Sequence, residues 1–531
     1  SPDATTYTFH LRKGLKWSDG APLTVEDFRF YYEDTILNRE YTKVQPEWLA
    51  SVIEGERVPA TFSAPDDLTV QYTFAQPKAL FYYWGSIILG IPALPAHYLK
   101  PFHQAYADKA TLDKAVADAQ LDDWTELFTK KVDKVNNVEL PTHEPWLQQN
   151  VWSDEFVTAV RNPYFWEVDT EGNQLPYIDK AAFRLFNDAQ VNVMWAANGE
   201  IDSQRRHFSF SRDYTTLKES EKSGDYTVLL WRATKTLCAY LNMTTKNQRL
   251  RELFMERDFR IAMSICANRE EMIELLYDGY GTPQQYAPPK DSPFYYEKLS
   301  NAYLEYDVDG ANALLDGLGY TERDAEGYRL FKDGSKDRIS ITAIGTSKDA
   351  DSTVLMLIDY LKDVGLQLSY RGVDRALSIE THQSNEVECS IGEADRNLIP
   401  LGDPRHWMKH GTTDSRGVCI AWSAYYLDPT NPIAEKPPEG HWIWDIWAAW
   451  EELQRTVGEE AQKEVFWRVL DIWARELPCP GYFGETPEIV VTKNGFKGLH
   501  DGYATDCCTS GYEYIIDNAT WYWDEPEKHT S

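Results

Sequence analysis

No stretch of this 531-residue chain approaches the run of about 20 apolar residues that a membrane-crossing helix needs. The longest apolar patch, near Phe81–Leu94, is interrupted by Gly85, Ser86, Gly90 and Pro92. Basic residues are scarce, 53 Lys and Arg against 84 Asp and Glu, for a net charge of -31. A surface this negative repels phosphate backbones and anionic lipid, which makes nucleic acid and bare membrane poor partners. Cysteine is scarce too. Seven in 531 residues make no disulfide scaffold, and with no Cys-x-x-Cys and no clustered His there is no zinc pattern. One or two bridges remain open, Cys479 to the Cys507-Cys508 pair and Cys389 to Cys419, and the odd count leaves a thiol over. His406 and His410 are four apart, but they lie among turn residues without Cys or paired acids, so neither a metal nor a cofactor is expected. Gly-x-Ser-x-Gly, His-Glu-x-x-His and a phosphate loop are all absent. The opening Ser1-Pro2-Asp3-Ala4 has neither the basic start nor the apolar core of a secretory leader, so a processed, trimmed or incomplete chain is expected.

Present instead is ample material for packed cores, with 43% hydrophobic residues, and a length that calls for two or three domains. Tyr7, Phe9 and Leu11 alternate with polar neighbours and predict a strand, as does Leu68–Phe74. Thr24 and Asp27 have capping-box spacing, opening a helix that carries Phe28, Tyr31, Tyr32 and Ile36 inward. Further strands are predicted at Phe183–Phe186 and Tyr226–Trp231 around a helix at 189–198. Asp258 is expected to cap Phe259–Ala267. Asn268 is expected to cap Arg269–Tyr277, with Gly279 as the left-handed stop. The clearest unit is 339–370. Ile339–Ile344 is a strand, Val354, Leu357, Ile358, Leu361 and Val364 recur at helical spacing, Gly365 stops the helix, and Leu366–Tyr370 starts another strand. Such a strand–helix–strand crossover implies a parallel sheet and an α/β fold. Residues 400–441, rich in Gly, Pro, Asp and Thr, and the tail 498–531 are expected to be loops.

The 19 tryptophans are the most unusual feature. Trp444, Trp447 and Trp450 are three apart and predict a buried helix stripe. Trp407, Trp422 and Trp442, on loop-like flanks, are candidate ligand contacts, because aromatic faces stack on sugar rings and line pockets for varied side chains.

Five blocks, in order and spacing, resemble the peptide-type family 5 of extracellular solute-binding proteins. They are Tyr7-Thr8-Phe9-His10-Leu11-Arg12-Lys13-Gly14-Leu15-Lys16-Trp17-Ser18-Asp19-Gly20 with Pro22–Asp27; Leu94–Leu99; Arg161–Trp166 with Leu175–Asp179; Gly199–Asp202; and Asp258–Ser264 with Asn268–Glu270. The resemblance implies a two-lobed, three-domain binding-protein fold of type II. Residues 1–145 would be domain II of lobe one, 146–242 its domain I, 243–484 lobe two with the βαβ units, and 485–531 a return to lobe one. Members usually carry roughly 80–100 residues before the first block, so the N-terminal part is expected to be missing. The implied role is that of a monomeric periplasmic or extracellular receptor of an ABC importer, with a lipid anchor left open. It would close on a short oligopeptide and hand it to the membrane permease. An oligosaccharide of cello- or xylo-type is the alternative, followed by a secreted glycosidase, which would need two carboxylates about a scissile bond. Peptide binders of this family often present an aspartate, in a Trp-x-x-Asp-x-x-x-Asp-Pro stretch, to the peptide's amino group. The nearest match here, Glu393-Ala394-Asp395 leading to Asp403-Pro404, makes Asp395 the fourth candidate contact, although Gly392 or Glu393 stands where an aromatic is expected.

Overall fold

Alternation sets the first sheet. The strand Thr6–His10 pairs antiparallel with Thr69–Thr73, Phe9 opposite Val70, and Thr61–Asp66 lies on the far side. The computed structural model describes residues 1–53, 56–83, 93–346, 352–408, 417–506 and 518–529. Thr24 and Asp27 form the reciprocal cap expected of them, and the helix Val25–Arg29 runs on in π geometry through Phe30–Ile36. Phe28, Tyr32 and Ile36 pack from it onto Trp48, Val70, Tyr72 and Phe81.

The family-like blocks turn out to be scaffold that holds the parts together. Asp27, buried, accepts from the backbone N–H of Thr24 (2.8 Å) and of Ala96 (3.0 Å), so the first block caps the second. Burial, the largest influence on that carboxyl, pushes its pKa up. Asp19 meets His97 at 2.7 Å, while Arg12 and Lys16 lie over the rings of Trp166 and Tyr164 in the third block. In the fourth, Lys493 donates to the carbonyls of Gly199 (2.8 Å) and Gly224 (2.9 Å). In the fifth, buried Arg260 donates to the carbonyls of Phe254, Met255, Glu476 and Leu477, and buried Arg269 to those of Ser264 and Gly481. Each guanidinium thus satisfies carbonyls at chain turns, which offsets the cost of burying its charge.

Two larger sheets carry the lobes. Tyr226–Ala233 pairs antiparallel with Pro487–Lys493 and parallel with Ala504–Thr505 in a four-stranded sheet. Thr236–Leu241 lies inside a six-stranded mixed sheet, between Gly481–Gly484 and Cys389–Ala394. The chain therefore passes from one sheet to the other at 234–235 and returns at 485–486. Ser340–Gly345 pairs parallel with Gln367–Gly372 through the helix Ser352–Asp363, the predicted crossover, and parallel with Cys389–Ala394.

Three local expectations fail for physical reasons. Asp258 does not cap its helix: Arg257–Ile265 starts after Glu256, and Asp258 sits in the first turn, where its charge still complements the helix dipole. The segment 400–441 is not all loop. Ile420–Leu427 is a helix whose first five residues are buried, and its run of apolar and small residues shows no polar period. The Cys389–Cys419 bridge is not formed. Cys389 is a free, fully buried thiol on a central strand, its pKa raised by burial. Cys507, Cys508 and His410 lie outside the described residues. The left-handed stop after Tyr277 begins one residue early, at Asp278 (φ 50°), and Gly279 continues it.

Candidate functional site

A cavity of about 340 Å³ opens where the two inter-sheet passages run side by side. Lys235 lines it from the outgoing passage and Thr486 from the returning one. Leu237, Tyr240, Ser390, Gly392, Glu393 and Phe483 reach it from the central strands of the six-stranded sheet, and Thr353 and Ser378 from the helices beside them. Both its size and its mixture of rings and a few polar groups suit a small solute.

Charge in the wall is matched. Lys235 Nζ lies 3.1 Å from Glu393 Oε2, and Glu393 is the main cause that holds the ammonium's pKa above its ordinary value, against the opposing effect of burial. The rings are set by neighbours. Tyr277 stacks at 6.0 Å on Phe210, of the helix Phe210–Glu219, and meets Phe483, of the strand Gly481–Gly484, edge-on at 5.5 Å, so it bridges these two elements. Tyr370 lies over the end of the strand Ser340–Gly345, where a Cβ on Gly345 would stand 2.5 Å from its hydroxyl, so a larger residue there would push the Tyr370 ring aside. Hydroxyls supply the remaining polarity, from Thr346, Thr353, Ser378, Ser390 and Thr486.

The four residues singled out from sequence do not assemble here. Trp407 is fully buried, stacked at 4.1 Å and 7° on Tyr286 and packed against Trp473 and Phe466. Trp422 and Trp442 are also buried and flank His441, each with ring centroids 4.6 Å away. All three belong to the core of the second lobe. Asp395 follows directly on the strand Cys389–Ala394, two residues past the cavity-lining Glu393, and is 5% exposed. Its carboxylate meets Arg396 at 3.2 Å; Arg396 in turn meets Asp403 at 2.6 Å, and Arg405 grips Asp403 with two bonds of 2.7 Å. Burial alone would raise the Asp403 pKa, but the two guanidiniums hold it below the usual carboxylate value. From the C-terminal return, Asp506 accepts from the N–H of Arg396 (2.6 Å) and of Leu398 (2.9 Å), tying this turn to the first lobe. Sequence reasoning missed Lys235, Tyr240, Tyr277, Tyr370 and Ser378. Only Glu393 carried a signal, as part of the loose aspartate motif.

The same architecture recurs in known proteins. An oligopeptide-binding protein, OppA, of solved structure superposes with a TM-score of 0.71 at 31% identity, covering 98% of this chain and 83% of its own. The periplasmic binding protein MelB of Agrobacterium fabrum C58, solved with stachyose, gives a TM-score of 0.71 at 19% identity, with 98% and 75% covered, and is alike in fold. The periplasmic alpha-galactoside-binding protein of Rhizobium meliloti strain 1021 is 24% identical over 456 residues, 83% of this chain and 60% of that protein. The oligopeptide-binding protein OppA of Lactococcus lactis subsp. cremoris SK11 is 24% identical over 389 residues, 70% and 59% of the two chains. The chain thus spans about 60% of the length of these curated relatives. Residues 1–414 match the bacterial extracellular solute-binding proteins, family 5 (middle region), as one continuous stretch. With the two-lobed fold, that match makes this chain a member of family 5 of the bacterial extracellular solute-binding proteins.

Proposed function

We propose that the chain is the extracytoplasmic receptor of an ABC importer, which takes up a short oligopeptide at the lobe seam and presents it to the membrane permease. The observation that carries this is the cavity's position: its wall includes both passages between the lobes, Lys235 on one and Thr486 on the other. A solute touching both lobes binds their closed arrangement better than an open one and shifts the population toward it. A permease that recognises the closed arrangement then reads occupancy. Lys235 and Glu393, side by side, offer a cation and an anion to a ligand carrying both signs. Support for a peptide comes from the OppA relatives.

A second ligand class, a neutral oligosaccharide, has its own support. The lining charges already neutralise each other, Asp395 is engaged by Arg396, and the rest of the wall is rings and hydroxyls, which suit sugar faces and sugar hydroxyls. The relative named for alpha-galactosides is consistent with it. Isothermal titration with trialanine and with raffinose separates the two classes. Saturable binding of either supports the receptor reading and names the class. Turnover of a chromogenic glycoside panel, without saturable binding, would overturn it.

A further inference from the structure

One ammonium is buried where two distant parts of the chain meet. Lys78 is 6% exposed, and its Nζ donates to Oε1 of Gln454, 376 positions away, at 3.1 Å. Among the described residues this is its side chain's one hydrogen bond, which leaves two of the ammonium's three donors unused. Glu47 and Glu451, one on each side of the contact, attract the charge without forming an ion pair, and burial, the stronger influence, pushes its pKa down. The backbone of the same segment is shared between the two parts. The N–H of Lys78 bonds the carbonyl of Ala4 (2.8 Å), and Tyr7 donates to the carbonyl of Lys78 (2.8 Å), so residue 78 is fixed to the first sheet. The N–H of Ala79 then bonds the carbonyl of Gln454 (2.8 Å), at the end of the helix Ile443–Leu453. Leu80, 2% exposed, enters the core of the second lobe with Trp450 and Leu453, while Phe81 turns back into the core of the first sheet with Tyr72.

Two residues apart, this contact carries opposed forces. Separating the two parts would expose the apolar surface of Leu80 to water, which holds them together. The same separation would hydrate the unused donors of Lys78, which drives them apart. We infer that Lys78 and Gln454 form a counterweight to closure: the buried ammonium disfavours the closed contact between the first sheet and the helix Ile443–Leu453, and the Gln454 carboxamide limits that cost. The pair thereby sets how much of the closing must come from a bound solute. The inference rests on the receptor reading and adds to it the place where the cost of closing is set.

The test uses the full chain with Lys78→Met, Gln454→Met and the double variant. In small-angle X-ray scattering without solute, Lys78→Met is expected to have a smaller radius of gyration than wild type, because the desolvated charge is gone. Gln454→Met, which leaves the ammonium without its acceptor, is expected to have a larger one. The double variant should be more compact than Gln454→Met, since losing the acceptor costs little once the ammonium is absent. In titrations with trialanine and raffinose, whichever probe wild type takes should bind Gln454→Met about tenfold more weakly and Lys78→Met about threefold more tightly. Radii and affinities that stay at the wild-type values, with only the melting temperature lowered, would mean a merely structural contact and overturn the counterweight. So would a double variant no more compact than Gln454→Met. Should Gln454→Met not fold, a Lys78→Met radius equal to that of wild type overturns it alone. Binding of neither probe by wild type counts against the receptor reading instead, and the radii without solute still decide the counterweight.

Discussion

The second lobe contains two aromatic populations with opposite roles. One is a layer of tryptophans: Trp407 on Trp473, Tyr286 and Phe466, and Trp422 and Trp442 about His441. The other is the cavity wall, with Tyr240, Tyr277, Tyr370 and Phe483 among hydroxyls and one ion pair. Both groups belong to one core, but only the second has a cavity in front of it. The tryptophans of this layer are thus packing residues. Tyrosine, which joins an apolar body to a polar tip, lines the cavity proposed to meet the solute.

The sharpest way to break this contrast is to empty the layer. Trp407→Ala should cost about 3–5 kcal/mol, as for other large-to-small core changes, and depress the melting temperature strongly. A ligand-facing tryptophan would lose affinity without that loss of stability. Next in size is a change in the wall. Glu393→Gln removes a half-exposed ion pair, worth at most about 1 kcal/mol of stability, yet it strips Lys235 of its partner and should change solute affinity by tenfold or more in titration. Equal affinities would remove this pair from the site.

A third test uses pH. Burial, aided by nearby Arg260, pushes the His441 pKa down to about 4, against about 6.5 in an unfolded chain. Since the folded pKa is the lower, the stability tied to the neutral ring is present above about pH 6.5 and lost as pH falls toward 4. Melting temperature should therefore drop over that window, and less so in His441→Phe. A variant with an unchanged pH profile would mean that His441 is solvated and the tryptophans beside it are not core. The smallest effect concerns Cys389, which should resist alkylation in the native protein and react only on unfolding, as read by mass spectrometry of labelled peptides.

Much of the fold was legible because local signals and tertiary structure agree. The Thr24–Asp27 box, the Asn268 cap and the 339–370 crossover are short-range patterns that the packing keeps. The helix Ile420–Leu427 was not legible, because its first five residues are buried together and leave no polar face to give it a period. The site was barely legible for a different reason. Lys235 and Thr486 are 251 positions apart and meet only because two strands of one sheet continue into two of another. Ser378 has no motif; it reaches the cavity only through the placement of the helix Arg375–Gln383, a property of three-dimensional surroundings alone.

The central claim is that solute is held at the seam and not among the tryptophans. A crystal structure of the chain soaked with whichever of trialanine or raffinose binds tests it most directly. Ligand density between Lys235, Tyr277, Tyr370, Ser378 and Thr486 is the predicted result. Density against the faces of Trp407, Trp422 or Trp442, with the seam cavity left to solvent, would contradict it.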